Sequence, residues 1–385
     1  MTNTIIGYNT TKFGELWDFS LEDLIKISID ELLQKANLQS SDLNAVFFGN
    51  MLGGISQNRL LLSSYISEIL ETNIPIQRVE SACASGGSAF YLACEYLNSH
   101  KDETVLVVGA EKMTDCQNDI TDYLSSALSY DEQLAGLTFP GIYAMMANYY
   151  FEKYGASQED LANISVKNHD HAILNPDAHI KKKITIDQVM SSDYIAYPLK
   201  LLDSSLISDG ASALILTNKK SLISQSKDKV SVLSCECATD SISLAKREEF
   251  ETFKSTKYAT EKAFYKADIK REDIDIIELH DCFTIAEILA METMGFWEKG
   301  TGYKNASSQE CHRDYSKKLI TNPSGGLKAC GHPVGATGVK QIGEIFLHLS
   351  GNAGKRQINH ARYGLAHNVG GSGGIAIVTI LKSLI

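Results

Sequence analysis

Apolar positions near the start of the chain follow first the period of an α-helix and then that of a β-strand. After Ser20, a suitable N-cap, apolar residues recur every three or four positions as far as Ala36. The apolar run at residues 45–48 then has the length and composition of a short buried strand. Helices that alternate with strands in this manner predict a layered α/β architecture.

The same helix–strand unit occurs a second time in the chain. Residues 35–46 read KANLQSSDLNAV and residues 266–277 read KADIKREDIDII, which places a lysine, an Asx residue and an aspartate at equal spacing without a gap. Two small-residue turns that lead into apolar strands, at residues 209–216 and 372–378, also resemble each other. These matches indicate a duplicated chain.

We therefore divide the 385 residues into an N-terminal half, 1–225, and a C-terminal half, 226–385, with the polar residues 219–229 as a linker. Residues 113–201 have no counterpart in the second half and are predicted to form a loop domain inserted into the first. An insertion of this length between core strands usually carries a binding function.

The composition narrows the classes of function. A net charge of −11 argues against nucleic-acid binding, because phosphate backbones are bound by an excess of Lys and Arg. The lysines at 181–183 are one candidate for holding a phosphorylated cofactor, with a solvated surface as the alternative. No apolar stretch approaches the roughly 20 residues that span a bilayer, and no secretory signal is visible. The eight cysteines form no Cys-x-x-Cys pair, so we expect free thiols in a reducing, cytoplasmic setting.

One cysteine stands where a predicted strand-to-helix turn is built from small residues. Residues 80–87 read ESACASGG and precede a predicted helix at 88–97, so Cys83 faces the positive end of that helix dipole. A dipole in this orientation lowers the pKa of a thiol, and small neighbours let a substrate carbonyl come close. The segment fits a catalytic nucleophile, and it equally fits a small residue packed in a tight turn.

A second candidate segment follows the repeated strand of the C-terminal half. Residues 278–283 read ELHDCF and precede a predicted helix at 284–294. His280 and Cys282 at the carboxyl end of a strand suit acid–base work, since such ends line the active sites of α/β proteins. The alternative is a buried structural histidine beside a cysteine that fills space.

Two glycine-rich segments complete the set. Residues 325–338 read GGLKACGHPVGATG and place His332 at the start of a helix, much as Cys83 is placed in the first half. This segment lacks the Gly-Lys-Ser/Thr ending of a phosphate-binding loop. Residues 366–374 read AHNVGGSGG, a turn whose free N–H groups are suited to hold an oxyanion.

A zinc site is the rival interpretation of the histidines and cysteines. Zinc-type side chains occur in two pairs, which are His280 with Cys282 and Cys330 with His332. Structural zinc sites favour two to four residues between paired ligands, whereas each of these pairs is separated by one residue. We therefore predict no metal site.

In this order, and over essentially the whole chain, the four segments resemble the thiolase superfamily. The resemblance implies the thiolase fold, a duplicated five-layered α-β-α-β-α core with a coenzyme A-binding loop domain in the first half. Common thiolases carry Asn-Glu-Ala-Phe in place of the HDCF sequence, and a second catalytic cysteine in the C-terminal glycine turn, where this chain has Asn368. A cysteine within HDCF, here Cys282, is the pattern of sterol-carrier-protein-type thiolases and of the archaeal and bacterial acetyl-CoA acetyltransferases similar to them.

The resemblance implies a role for each candidate. Cys83 would carry the acyl group as a thioester, and His332 would accept its proton. Cys282 would move the α-proton of a second acetyl-CoA, and His280 would hold a water or the enolate oxygen. The backbone N–H groups of Cys83 and Gly370 would form the oxyanion hole. The implied reaction is the reversible condensation of two acetyl-CoA to acetoacetyl-CoA, or thiolysis of a 3-ketoacyl-CoA, with coenzyme A thioesters as substrates and no permanently bound cofactor.

Two other functions stay open at this point. A decarboxylating 3-ketoacyl synthase would share the fold, a cysteine nucleophile and a similar histidine segment, but it needs no second cysteine such as Cys282. A non-catalytic acyl-CoA-binding protein would not be expected to keep all four side chains. The resemblance further implies a homodimer or homotetramer, and for some archaeal relatives a partner protein that channels the acyl-CoA product.

Overall fold

The computed structural model describes residues 3–307 and 319–384, and this part contains twelve strands and fourteen helices. The strands are β1 Thr4–Thr10, β2 Ala45–Gly49, β3 Ile76–Val79, β4 Thr104–Glu111, β5 Tyr194–Ala196, β6 Leu199–Lys200, β7 Gly210–Thr217, β8 Val230–Thr239, β9 Ile276–Glu278, β10 Ile320–Thr321, β11 Tyr363–Gly370 and β12 Ile375–Ser383. The helices are α1 Leu21–Ala36, α2 Leu62–Leu70, α3 Ser85–Ser99, α4 Ile120–Ser125, α5 Tyr130–Leu134, α6 Phe139–Tyr154, α7 Gln158–Ala172, α8 Ile186–Ser191, α9 Lys220–Gln225, α10 Lys254–Ala267, α11 Thr284–Thr293, α12 Gly302–Ser307, α13 Gly326–Cys330 and α14 Val334–Leu349. Among the described residues, no helix has the length and apolar character needed to cross a membrane.

Ten strands join in a sheet whose order is the same in both halves. The first half has the order β3-β2-β4-β7-β1 and the second has β10-β9-β11-β12-β8. In each half the first three strands are parallel and the last two run antiparallel to their neighbours. The halves meet where β1 pairs with β8. The chain is therefore a structural duplication.

Helices form the remaining layers. Helices α3 and α14 pack against each other between the two halves of the sheet and share one large apolar core with the inner strand faces. Helices α1 and α2 cover the outer face of the first half, and α10 and α11 cover that of the second. The predicted duplicated five-layered α-β-α-β-α fold is confirmed.

The repeated sequence unit adopts the same local structure in each half. Helices α1 and α10 end at Asn37 and Asp268, which have left-handed backbone with φ of 53° and 52°. Asn and Asp tolerate this conformation better than most residues with a Cβ. Five residues further on, the carboxylates of Asp42 and Asp273 each accept a backbone N–H at 2.8 Å. The spacing seen in the sequence is thus that of a helix C-cap and the turn after it.

Three features differ from the sequence-based expectation. Strands β1 and β8, which join the halves, are not predicted because Thr, Ser, Asn and Glu interrupt their apolar pattern. Helix α9 lies within the polar stretch 219–229 that was expected to be a linker. Helix α3 begins at Ser85, three residues before its predicted start, so that Cys83 lies two residues from the first helical position.

A long excursion separates β4 from β7 in the first half. It contains helices α4 to α8 and the β5–β6 hairpin, and it packs on α11 and α13 of the second half. In the second half, the corresponding strands β11 and β12 are joined by the short glycine turn at residues 371–374. The excursion covers the region predicted as the loop domain, and it forms one wall of the cavity described below.

Candidate active site

The site forms where the first turns of α3 and α14 converge between the two halves. Cys83 precedes α3 and His332 precedes α14, so the partial positive charge of both helix N-termini is directed to one place. Glycines permit this close approach. A Cβ on Gly338 would lie 2.2 Å from the backbone nitrogen of Gly87, which is far inside van der Waals contact.

The turn that carries Cys83 has an unusual backbone. Ala82 has a φ of 50°, a left-handed conformation that residues with a Cβ seldom adopt. Its N–H donates to the Glu80 carboxylate at 2.6 Å, and Ser85 closes the turn by accepting the N–H of Ser81 at 3.0 Å. Such strained turns cluster at functional sites. Here the turn presents the Cys83 side chain to the cavity.

The structure corrects the expectation that the pKa of Cys83 is lowered. A helix N-terminus alone would lower this pKa, but burial raises it to about 12, and the carboxylates of Glu111 and Glu80 act in the same direction. The N–H groups of Gly371 and of Cys83 itself face the sulfur and oppose this rise only in part. These effects favour the neutral thiol of Cys83 at rest, so a nucleophilic role for this residue would require a base nearby.

His332 is the candidate for such a base, because one of its ring nitrogens lies within 4.8 Å of the Cys83 sulfur. Its Nδ1 lies 2.6 Å from the hydroxyl of Thr337, and its backbone N–H donates to Ser208. Its Nε2 is buried and has no hydrogen-bond partner among the described residues. Burial lowers the pKa of His332 to about 3, so the ring is neutral at physiological pH.

His280 faces His332 across the site. The two ring centres are 5.0 Å apart and the rings are nearly perpendicular, at 82°. Nδ1 of His280 lies 3.3 Å from the amide nitrogen of Asn368, and Nε2 again has no partner in the described part of the chain. Burial, followed by the neighbouring His332 and His367, lowers the pKa of His280 well below its usual value.

The sulfur of Cys83 and one ring nitrogen of each histidine form a tight group. These three atoms lie within 4.8 Å of one another. Together with Cys282 they line a cavity of about 460 Å³. Its other wall comes from the excursion between β4 and β7 and includes Leu124, Phe139, Tyr143 and Ile195. A thiol, two neutral imidazoles and an apolar chamber suit chemistry on a thioester or ketone.

Cys282 reaches the same cavity from the loop after β9. Its side chain is 8% exposed, and burial and the proximity of Cys83 raise its pKa far above the usual thiol value. The Tyr143 hydroxyl opposes this rise by hydrogen bonding to the thiol. That hydroxyl also lies 3.4 Å from the carbonyl of Gly371, and the Tyr143 ring packs 4.8 Å from that of Phe283.

Asp281 holds the loops of the site together. Its carboxylate accepts the N–H of Leu327 at 2.7 Å and the side-chain amide of Asn168 at 2.7 Å. These contacts join the HDCF loop to α13, which precedes His332, and to α7. The contacts of Asp281 are those of a structural anchor between the segments that carry His280 and His332, and Asp281 does not line the cavity.

The structure also places the other candidates. Cys330 lies in α13 and contacts Asn175. The side chains that come together are Cys83, His280 and His332. This set differs from the four side chains that the sequence suggested as zinc ligands. His367 points to the opposite face of β11 from Asn368, where its Nε2 bonds Thr256 at 2.8 Å. The lysines at 181–183 are exposed and do not line the cavity. Gly370 ends β11, and its neighbour Gly371 is the residue of that turn that lines the cavity.

Models of known protein families match both halves of the chain. The family model for the thiolase N-terminal domain matches residues 3–220, and the model for the thiolase C-terminal domain-like family matches residues 237–383. The chain belongs to the thiolase family. In this acyltransferase family member, the first half carries the Cys83 turn and the second half carries the loops of His280 and His332.

Relatives and solved structures agree with this assignment. The thiolase is 42% identical to an acetyl-CoA acetyltransferase of Methanothermobacter thermautotrophicus, with 98% of each chain covered. It is 32% identical to sterol carrier protein 2 of Bos taurus, covering 98% of this chain and 72% of that protein. Among solved structures, the Ltp2-ChsH2(DUF35) aldolase superimposes with a TM-score of 0.83 at 19% identity, covering 98% of this chain and 97% of the other. The resemblance to the sterol-carrier-protein and archaeal group is confirmed.

Two residues of the thiolase site escape sequence reasoning. Tyr143 is predicted only as part of the loop domain at residues 113–201, because nothing local to it signals a contact with Cys282. Thr337 falls inside a recognised motif, but its hydroxyl has no visible role until the loop folds back on His332. Neither residue type is unusual at its position in the sequence. Only the tertiary fold assigns them to the site.

Proposed function

We propose that this thiolase is an acetyl-CoA acetyltransferase that catalyses the reversible condensation of two acetyl-CoA to acetoacetyl-CoA and coenzyme A. The observation that carries the proposal is the grouping of the Cys83 sulfur with one nitrogen each of His280 and His332. The names and high identities of the archaeal relatives support acetyl-CoA as the substrate. Thiolysis of acetoacetyl-CoA is the same reaction in reverse.

The first half-reaction transfers an acetyl group to Cys83. Nε2 of His332 accepts the thiol proton while the sulfur attacks the thioester carbonyl, and the carbon–sulfur bond to coenzyme A then breaks. The same imidazolium returns the proton to the departing coenzyme A thiolate, so the half-reaction is balanced. N–H groups from Cys83 and from the Gly370–Gly371 turn form the oxyanion hole at the N-terminus of α3.

The second half-reaction forms the carbon–carbon bond. Cys282 first gives its thiol proton to solvent, and the thiolate then removes the α-proton of a second acetyl-CoA. The resulting enolate attacks the acetyl carbonyl on Cys83, and the bond from that carbon to the Cys83 sulfur breaks. Cys282 passes the α-proton to the departing Cys83 thiolate, which restores the Cys83 thiol. The raised pKa of Cys282 makes its thiolate a strong base. His280 holds the enolate oxygen, which is the atom where negative charge develops.

Coenzyme A is proposed to enter along the excursion between β4 and β7. Most of the residues that line the cavity come from this segment, among them Met113, Thr121, Leu124, Phe139, Tyr143 and Ile195. Hydrogen exchange with and without coenzyme A is expected to show protection within residues 113–201. Protection confined to the second half would contradict this placement.

Association with other chains is also a proposal. A homodimer or homotetramer is expected from the family. The name of the solved structure reported above, the Ltp2-ChsH2(DUF35) aldolase, includes a DUF35 component. This supports a partner of similar kind that receives or delivers acyl-CoA. Co-purification followed by mass measurement of the native complex tests both associations.

Three assays separate the proposed function from its rivals. Purified enzyme is expected to convert acetoacetyl-CoA and coenzyme A to acetyl-CoA, and to release coenzyme A from acetyl-CoA alone. A decarboxylating synthase would require malonyl-CoA and release carbon dioxide. A non-catalytic binder would retain coenzyme A thioesters without turnover. Turnover that depends on malonyl-CoA, or binding without turnover, would contradict the proposal.

A further inference from the structure

The side-chain amide of Asn368 has a fixed orientation because backbone groups surround it. Its Oδ1 accepts the N–H of Gly87 at 3.1 Å, and its Nδ2 donates to the carbonyl of Cys83 at 3.1 Å. A backbone N–H cannot accept and a carbonyl cannot donate, so a flipped amide would lose both bonds. Asn368 is 3% exposed, which leaves little room for water to compensate for such a loss.

This orientation determines the hydrogen position on His280. The Nδ2 of Asn368 is also the atom 3.3 Å from Nδ1 of His280, and an amide NH₂ group can only donate. Nδ1 of His280 must therefore accept. A neutral imidazole carries one hydrogen, which consequently resides on Nε2, the nitrogen without a partner in the described part of the chain. His280 thus presents an N–H donor.

His332 is fixed in the opposite tautomer by the same kind of reasoning. The hydroxyl of Thr337 lies 2.9 Å from the carbonyl of Pro333 and donates its hydrogen there. It must then accept from Nδ1 of His332, at 2.6 Å, which leaves Nε2 of His332 without a hydrogen. The two rings, 5.0 Å apart, therefore offer one base and one donor.

We propose that Asn368 is a positioning residue that selects the Nε2–H tautomer of His280, so that this histidine donates to the reacting oxygen while His332 acts as the base. The inference rests on the proposed function for the identity of that oxygen. Asn368 does not line the cavity. It acts through His280, and its bonds to Gly87 and to the carbonyl of Cys83 couple that histidine to the nucleophile turn. Two histidines with the same tautomer would supply either two bases or two donors.

The direct test is nitrogen-15 NMR of histidine-labelled enzyme, since neutral imidazole tautomers differ strongly in their nitrogen shifts. Signals are assigned by their loss in His280→Gln and His332→Gln. We expect a hydrogen on Nε2 of His280 and on Nδ1 of His332. Asn368→Asp keeps the shape and the acceptor for Gly87 but removes the donor. It should move a hydrogen onto Nδ1 of His280 and leave His332 unchanged.

Kinetics provide the second test. Asn368→Ala should lower kcat for condensation by about 10²-fold, the usual effect of losing one oxyanion donor, with KM for acetyl-CoA within about threefold of wild type. Asn218 is the matched control, because it is a buried asparagine with three backbone bonds remote from the site. Asn218→Ala should lose similar stability and keep kcat.

The outcomes are distinguishable. A hydrogen on Nδ1 of His280 in the wild-type enzyme would overturn the inference, as would an unchanged His280 tautomer in Asn368→Asp or an unchanged kcat in Asn368→Ala. Correct tautomers in an enzyme that neither condenses acetyl-CoA nor cleaves acetoacetyl-CoA would instead reject the proposed function and leave the tautomer assignment standing.

Discussion

Burial sets the resting protonation of the side chains that we propose to carry acyl transfer. It raises the pKa of the Cys83 thiol to about 12 and lowers that of His332 to about 3. These shifts favour a neutral thiol and a neutral imidazole at rest, and in the proposed mechanism the proton moves only as the sulfur attacks. A resting thiolate–imidazolium pair would require the opposite shifts. The advantage of a neutral pair is that the buried cavity holds no uncompensated charge between turnovers.

These pKa values predict how acylation depends on pH. His332 loses its proton above its folded pKa of about 3, and Cys83 keeps its proton below about 12. Neither group changes state between about pH 5 and pH 9, so the single-turnover rate of Cys83 acetylation should be flat over that range. Rapid quenching with labelled acetyl-CoA measures it.

The control for this profile is His332→Ala, which should be slower by about 10²–10⁴-fold at every pH, as for loss of a general base. A loss of acetylation on acidification through about pH 6.5, the ordinary histidine pKa, would contradict the account.

Removal of Cys282 should separate the two half-reactions. In the proposed mechanism Cys282 serves the second substrate and His332 serves the first step, so Cys282→Ala should acetylate Cys83 at nearly the wild-type rate. It should lose almost all condensation and almost all exchange of acetyl α-protons with deuterium, which NMR of acetyl-CoA reports. Cys237→Ala, a half-buried cysteine in β8, is the matched control and should retain both.

Normal α-proton exchange in Cys282→Ala, with loss of exchange in His367→Ala, would transfer the acid–base role to the C-terminal turn. The contact of His367 with Thr256, on the far face of β11, makes that outcome unexpected.

At the scale of elements, the contact between α3 and α14 sets the distance between Cys83 and His332. A methyl group on Gly338 would lie 2.2 Å from Gly87 N and 2.3 Å from the Asn368 side chain, so Gly338→Ala must push the two helix N-termini apart. We expect a loss of about 1–3 kcal/mol of unfolding free energy, typical of overpacking, and a fall in acetylation rate of at least about tenfold through misplacement of reacting groups.

Gly141→Ala is the control for that substitution. Gly141 lies in the first turn of α6, and its nearest neighbour to an added Cβ is the Thr138 hydroxyl at 3.6 Å. This variant should keep the acetylation rate and be at least as stable as wild type, because alanine favours helix over glycine. Denaturant unfolding and single-turnover acetylation measure both effects. Equal behaviour of the two variants would show that the α3–α14 contact does not position the site.

Elements whose signal is local were predictable from the sequence. Helix α1 begins after Ser20, whose side chain accepts the N–H of Asp23 as an N-cap does, and the repeated C-cap and turn recur in both halves. Strands β1 and β8 were not predictable, because their place at the junction of the halves depends on pairing between distant segments. The layer that a helix occupies also depends on contacts between segments far apart in the sequence, so it was not predictable either.

At the scale of the whole molecule, the site exists only when both halves are assembled. The first half supplies Cys83, and the second supplies His280, Cys282 and His332. Asn368 and Cys83, which share a hydrogen bond, are 285 residues apart in sequence. The motifs indicate which side chains are available. The tautomers and the direction of the pKa shifts depend on burial and on partners that only the tertiary structure brings together.

The most direct test of the account is the acyl-enzyme itself. Intact-mass measurement after incubation with acetyl-CoA should show one acetyl group per chain, which hydroxylamine removes and which peptide mapping locates at Cys83. Cys83→Ser, which keeps the turn but has a far less acidic nucleophile, should remain unmodified on the same timescale. Addition of acetyl-CoA to the isolated acyl-enzyme should then release acetoacetyl-CoA. An acetyl group on another residue, or acetylation of Cys83→Ser at the wild-type rate, would contradict the central claim.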